Sequence, residues 1–168
     1  RQSAQKAYYT ELLMSSSQKL QQGKNEEEII GLAAHQLSIL LDRPILYALA
    51  KGNESLKFSV TPEEQGKDIM AAMTMEEQGV ADWVVKNNKR AGATTDTLSD
   101  AHNLYLAVRG MQGVMGVVGI PSRYYPTLEV FEKNLMISIL NECGLILERR
   151  RFREEKLAIK LETQQERL

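Results

Sequence analysis

The sequence predicts an α+β sandwich: a central, mainly antiparallel sheet with flanking helices and a long C-terminal helix. Three observations predict it. The elements run helix, helix, two strands, helix, two strands, helix. The strands are short and come in pairs joined by tight turns, which makes sequence neighbours antiparallel. Residues 127–168 contain nothing that stops a helix apart from the tolerable Gly144. A chain of 168 residues suits one domain with helical extensions better than two separate cores.

Taken in order, residues 1–22 place Tyr9, Leu12, Leu13 and Leu20 at helix-compatible intervals, and Gly23 fits a helix stop. Asn25 can cap a second helix, where Glu26, Glu27 and Glu28 meet the positive end of the dipole. Ile29, Ala33, Leu37 and Leu40 give it one buried face, and Asp42-Arg43-Pro44 ends it. Residues 45–50 and 56–60 read as strands around the turn Lys51-Gly52-Asn53-Glu54. After a polar connection, Thr74 and Glu77 have capping-box spacing at the start of a third helix carrying Val80, Trp83 and Val84 inward. Residues 104–108 and 114–120 form a second hairpin, in which Gly116 and Gly119 mark close approach by a helix or a neighbouring backbone.

The last helix is longer than a small domain needs. Residues 127–168 would extend about 63 Å. Leu128, Phe131, Leu135, Ile139, Cys143 and Ile146 form a stripe that should pack on the sheet. Beyond Glu148 the composition turns to charge and glutamine, and Leu157, Leu161, Gln164 and Leu168 follow a 4-3-4 rhythm. Arg150 and Arg153 interrupt that seam upstream. A helix–helix seam and a solvated tail both fit the pattern.

Composition excludes several classes. With a net charge of -1 and no interleaving of basic with aromatic residues, the chain offers no surface for nucleic acid. No run approaches a bilayer span. The chain begins at Arg1 without a methionine and reads as a piece of a longer protein, so targeting segments of the parent lie outside this reading. One cysteine, Cys143, excludes a disulfide framework, and its place on the apolar stripe makes it a buried small hydrophobe. His35 and His102 stand too far apart for a metal site. His35 is followed by Gln36 rather than an acidic residue, which argues against a phospho-accepting histidine. The series Gly110, Gly113, Gly116, Gly119 lacks the Gly-Lys-Ser/Thr ending of a phosphate loop. No catalytic constellation emerges, so no enzyme activity is expected of this segment.

One polar segment stands out. Gly92-Ala93-Thr94-Thr95-Asp96-Thr97-Leu98 packs three hydroxyls and a carboxylate into a single loop. Such a loop can satisfy its own backbone through Asx and Ser/Thr turns, or line a polar pocket on the sheet. Thr94, Thr95, Asp96 and Thr97 are therefore candidate ligand-binding residues, with Trp83, His102 and Tyr105 as candidate walls.

At this segment the chain resembles a family. Residues 91–98, followed by Leu104-Tyr105-Leu106-Ala107-Val108 and Gly113-Val114-Met115-Gly116-Val117-Val118-Gly119-Ile120, are similar to the GAF domain of KdpD potassium-regulon sensor kinases. The Gly-x-x-Thr-Asp-Thr-Leu run is the specific part, and the resemblance extends in outline from about residue 25 to 148. It implies a division into a connecting helix (1–24), a GAF domain (25–148) and a linker helix (149–168) toward a histidine-phosphotransfer domain. It further implies a cytoplasmic, non-catalytic regulatory module of a membrane-bound, homodimeric sensor kinase. Such a kinase would answer potassium limitation or osmotic stress through a response regulator. Leu157, Leu161 and Leu168 would carry the signal between paired helices. No cofactor is implied. Cyclic-nucleotide-binding GAF members carry Asn-Lys followed by Phe-x-x-x-Asp-Glu, and here only Asn88-Lys89 is present. Bilin-binding members need a pocket cysteine, whereas Cys143 is on the last helix. The alternative is a ligand-free GAF fold acting as a dimerisation spacer, its pocket filled by Met70, Met73 or Trp83.

Overall fold

A computed structural model describes residues 2–166. Helices α1 (Gln2–Gln21) and α2 (Glu26–Leu41) lead into strand β1 (Ile45–Leu49). Strand β2 (Ser59–Thr61), a short α3 (Lys67–Ala71), α4 (Met75–Asn87) and β3 (Ala91–Gly92) follow. The hairpin β4 (Asn103–Arg109) and β5 (Val114–Pro121) precedes α5 (Val130–Glu166). The five strands lie in the order β2-β1-β5-β4-β3, and every neighbouring pair is antiparallel.

The caps form where local sequence places them. The Asn25 side chain accepts from the Glu28 amide at 2.8 Å, and three glutamates follow in the first turn. Asp42 ends α2 in the left-handed conformation, so the chain turns before the proline restriction acts. Thr74 caps α4 by accepting from the Glu77 amide at 3.2 Å, and Asn88 closes that helix, also left-handed.

Alternation along β4 sorts the core into two layers. Leu104, Leu106 and Val108 face α1, α2 and α5, joining Ile30, Leu37, Leu135, Ile139 and Leu147 in the larger cluster. Tyr105 and Ala107 face α4, joining Val80, Ala81, Val84 and Val117 in the smaller one. The result is a three-layer sandwich with α1, α2 and α5 on one side of the sheet and α4 on the other.

Four expectations change. The strand expected over 56–60 shrinks to Ser59–Thr61, because the turn after β1 opens into a wider polar connection. Two short elements, α3 and β3, are too brief to generate a periodic signal. The last helix starts at Val130 instead of 127, since Pro126 and the carbonyls around it are engaged elsewhere. Gly144 is required, not merely tolerated: a Cβ there would lie 2.0 Å from the Arg109 carbonyl oxygen. Gly116 behaves as expected, with a Cβ falling 2.7 Å from both the Ala48 oxygen and Ile30 Cδ1.

Cys143 is fully buried against the sheet, and burial pushes its pKa up to about 12, with the nearby Glu142 adding to the effect. The thiol stays protonated and out of reach of reagents. No described helix is long and apolar enough to cross a membrane.

Candidate functional site

The loop from 92 to 98 closes on itself. The Gly92 amide donates to the Thr97 carbonyl at 2.8 Å, and the Thr95 amide donates to the Gly92 carbonyl at 3.1 Å. The Thr95 hydroxyl sits 2.8 Å from both the Gly92 and Thr97 carbonyls and accepts from the Thr97 amide at 3.2 Å. Thr95 thus organises the turn. Thr94 (φ 67°) and Leu98 (φ 53°) take left-handed backbone, which is strained for a β-branched threonine. Asp96 points outward and is exposed.

Sequence reasoning placed Trp83, His102 and Tyr105 around this loop, but the sheet separates Trp83 and Tyr105 from its hydroxyls. Tyr105 is completely buried on the α4 side, where its hydroxyl donates to Glu77 Oε1 at 2.8 Å and accepts from Asn103 Nδ2 at 3.0 Å. Burial, more than the neighbouring Glu77 charge, pushes the phenol far above its ordinary pKa against the opposing Asn103 hydrogen bond, so it remains a donor. Glu77, only 6% exposed, also accepts from the His102 amide at 3.0 Å and the Asn103 amide at 3.4 Å. Met73 Sδ lies 3.3 Å from the Tyr105 hydroxyl, and half-buried Trp83 packs on the same cluster. Tyr105, Glu77, Met73 and Trp83 thus pack together on this side of the sheet. The His102 ring is exposed and faces Arg123.

Thr94 and Thr95 instead open toward α5, where they line a cavity of about 210 Å³. Arg43, Arg90 and Lys133 surround it, Ser122 and Thr127 add hydroxyls, and Leu104, Leu106, Leu128, Met136 and Ile137 form its apolar floor. Arg90, Leu106 and Ile137 also line a neighbouring outer groove of about 480 Å³ that includes Lys89, Thr97 and Arg109. No carboxylate lines either part. Arg43 is 6% exposed. Its Nε donates to the Leu41 carbonyl at 3.2 Å, Nη1 to Pro121 at 2.9 Å and Nη2 to Pro126 at 2.9 Å, and its guanidinium stacks 5.0 Å from the Tyr125 ring centre.

A second assembly lies where α5 leaves the sandwich. The Glu148 carboxylate accepts from the Met111 amide at 2.8 Å and the Gln112 amide at 3.0 Å, gripping the tip of the β4–β5 hairpin. Arg150 donates to the carbonyls of Gly23 and Lys24 in the α1–α2 turn. Arg151 donates to Glu26 Oε1 at 3.1 Å and to the Ala50 carbonyl at 3.0 Å, holding the start of α2 and the end of β1. One helical turn therefore touches three separate parts of the domain. The arginine that interrupts the heptad rhythm at position 150 does so because it belongs to this collar. From Phe152 onward the described helix is exposed, including Leu157 and Leu161. Leu168 lies outside the described residues.

Glu77, Arg43, Glu148 and Arg151 were not singled out as site residues by sequence reasoning. Glu77 carried a capping-box signal and Arg43 a helix-stop signal. The long-range partners of all four leave no local pattern.

No protein-family model matches the chain. It is 25% identical over 160 residues to the sensor protein KdpD of Clostridium acetobutylicum, a match that covers 95% of this chain and 18% of that protein. The chain thus spans about a fifth of its curated relative. Among solved structures it is similar to the native GAF domain of the potassium sensor histidine kinase KdpD from Escherichia coli. That match has a TM-score of 0.68 and 21% identity, and covers 89% of this chain and 97% of that one. A segment of a methyl-accepting chemotaxis protein is also similar, at TM-score 0.58 and 14% identity over 80% of this chain and 95% of that one. The fold is that of a GAF domain, and in sequence and fold the chain resembles the GAF segment of KdpD sensor proteins.

Proposed function

We propose that the chain is a regulatory GAF module of a KdpD-like sensor histidine kinase, passing its state to the kinase core through α5. The single observation that carries this reading is the collar of Glu148, Arg150 and Arg151. A helix seated only by an apolar stripe can slide or fray at its exit. A helix gripped by the β4–β5 tip, the α1–α2 turn and the end of β1 must follow any of them that moves. The exposed stretch beyond it then has a defined direction in which to carry the displacement.

In this reading the parent is a membrane-bound, ATP-dependent protein-histidine kinase that answers potassium limitation or osmotic stress. It phosphorylates a response regulator, with this module on the cytoplasmic side. Residues 1–24 connect to the membrane segments, 25–148 form the sensory domain and 149–168 lead to the histidine-phosphotransfer domain. Two copies pair along α5, with Leu157, Leu161 and Leu168 on the seam. A stimulus acts only so far as it binds the two states of the module unequally.

The test is autophosphorylation of the parent kinase in vesicles across a range of potassium concentrations, with Glu148→Gln/Arg151→Gln against wild type. The expected result is at least a threefold flattening of the potassium dependence with the dimer intact. The second reading, a ligand-free dimerisation spacer, is favoured by the packing of Tyr105, Glu77, Met73 and Trp83 on the α4 side. It requires an unchanged potassium dependence in the same variant.

A further inference from the structure

The geometry points to a binding site for a small organic phosphate, a dianionic headgroup on an apolar or planar body, in the groove between the β3–β4 edge and the first turns of α5.

Charge is the first argument. The chain is nearly balanced, with 21 basic and 22 acidic residues, yet the two adjoining cavities gather Arg43, Lys89, Arg90, Arg109 and Lys133 without one lining carboxylate among the described residues. None of the five forms an ion pair among the described residues. Glu132, the carboxylate that acts most on Arg43, accepts from the Glu129 amide at 2.9 Å and forms no ion pair with that arginine.

Arg43 is the second argument. A buried cation is costly unless its charge is answered closely, and the hydrogen-bond acceptors of this one are all carbonyls. Those carbonyls take three N–H groups, whereas a guanidinium has five in a rigid fork. The remaining two have no partner among the described residues. Held by three backbone segments and by Tyr125, the fork cannot swing away to find a carboxylate. Glu132 and Asp42 answer its charge only from beyond ion-pair distance, and an anion in the adjoining cavity would answer it directly. Three cations about the inner cavity suit a doubly charged phosphate ester better than a single carboxylate.

Shape supplies the third argument. About 210 Å³ over a floor of Leu104, Leu106 and Met136 exceeds what a few waters need, at roughly 30 Å³ each. It offers a body of metabolite size an apolar surface beside the charged rim. Thr94 lines it from the loop that Thr95 closes, and Lys133 and Met136 stand on α5. An occupant would therefore touch the output helix directly. This site does not depend on the kinase reading, because its occupancy is measured on the chain alone.

Phenyl phosphate is the probe, titrated into labelled protein and followed by amide NMR. Shifts are expected to concentrate at Thr94, Thr95 and Lys133, with a dissociation constant near or below about 1 mM. Phenol, inorganic phosphate and singly charged benzoate each lack part of the complement and should bind at least tenfold more weakly. Arg90→Gln/Lys133→Gln replaces two exposed side chains, so the fold is retained, and should weaken phenyl phosphate at least tenfold. Gln65→Ala, exposed beyond β2 at the opposite edge of the sheet, should leave it unchanged. Shifts scattered over surface lysines, equal binding of benzoate, or undiminished binding by the double variant would each overturn the site and leave Arg43 as a backbone strut alone.

Discussion

Gly144→Ala should destabilise the domain by about 3 kcal/mol, while Gly79→Ala should stabilise it by up to about 1 kcal/mol. Both glycines sit inside helices, so propensity alone predicts the same gain for each. Their surroundings decide the sign. At Gly79 a Cβ meets nothing within 4 Å, whereas at Gly144 it meets the Arg109 oxygen at 2.0 Å and the Arg109 carbonyl carbon at 2.4 Å. Those are backbone atoms at the end of β4, where Arg109 pairs with Val114 of β5, and they cannot turn away as a side chain would. The helix must lift, loosening Cys143 and Leu147 from the core. For a chain of this size, thermal unfolding should show a fall of about 6–12 °C for the first variant and a rise of up to about 4 °C for the second. A neutral Gly144→Ala would mean that α5 is not seated on β4 as described.

Glu77→Ala should cost a similar amount, about 3 kcal/mol, in urea unfolding at neutral pH. It strands the Tyr105 hydroxyl and the amides of His102 and Asn103 beneath α4. Each buried donor left without an acceptor costs about 1–3 kcal/mol, partly relieved where water reaches the edge near exposed His102. Glu77→Gln keeps one acceptor and should cost about half as much. Tyr105→Phe removes a single donor and should cost about 1–1.5 kcal/mol. Combined with Glu77→Ala, it should add less than its separate effect, since the two side chains share one hydrogen bond. Full additivity would place the carboxylate elsewhere.

These two residues also show what a sequence can and cannot reveal. Where the physics is local, the reading succeeds: Asn25 and Thr74 cap their helices, and β4 and β5 form antiparallel neighbours around a short turn. Where a residue acts across the chain, local pattern misleads. Glu77 has the spacing of a capping-box partner, and the Thr74 half of that box forms. Its carboxylate nevertheless crosses to residues 102–105, because a buried tyrosine there needs an acceptor. Gly144 looks like a harmless glycine in a helix until the strand beneath it is known.

The candidate site divides along the same line. The hydroxyl-rich loop is legible because Ser/Thr turns are written in adjacent residues, and Thr95 does close it. Its relation to Tyr105 and Trp83 is not legible, since which face of a sheet a loop opens toward depends on the twist and on β3, a strand of two residues. Arg43 reaches the groove from the end of α2 and Lys133 from the start of α5. No spacing rule joins them.

The most direct test of the central claim, that α5 is coupled to the domain through its collar, is amide hydrogen exchange on this chain with and without Glu148→Gln/Arg151→Gln. The account predicts that exchange rises at least tenfold together in residues 148–156 and the hairpin tip 110–113, while the α4 layer keeps its protection. Unchanged exchange in the helix, or a rise confined to the hairpin tip, would mean that the apolar stripe alone holds α5. The domain could then move without its output helix following.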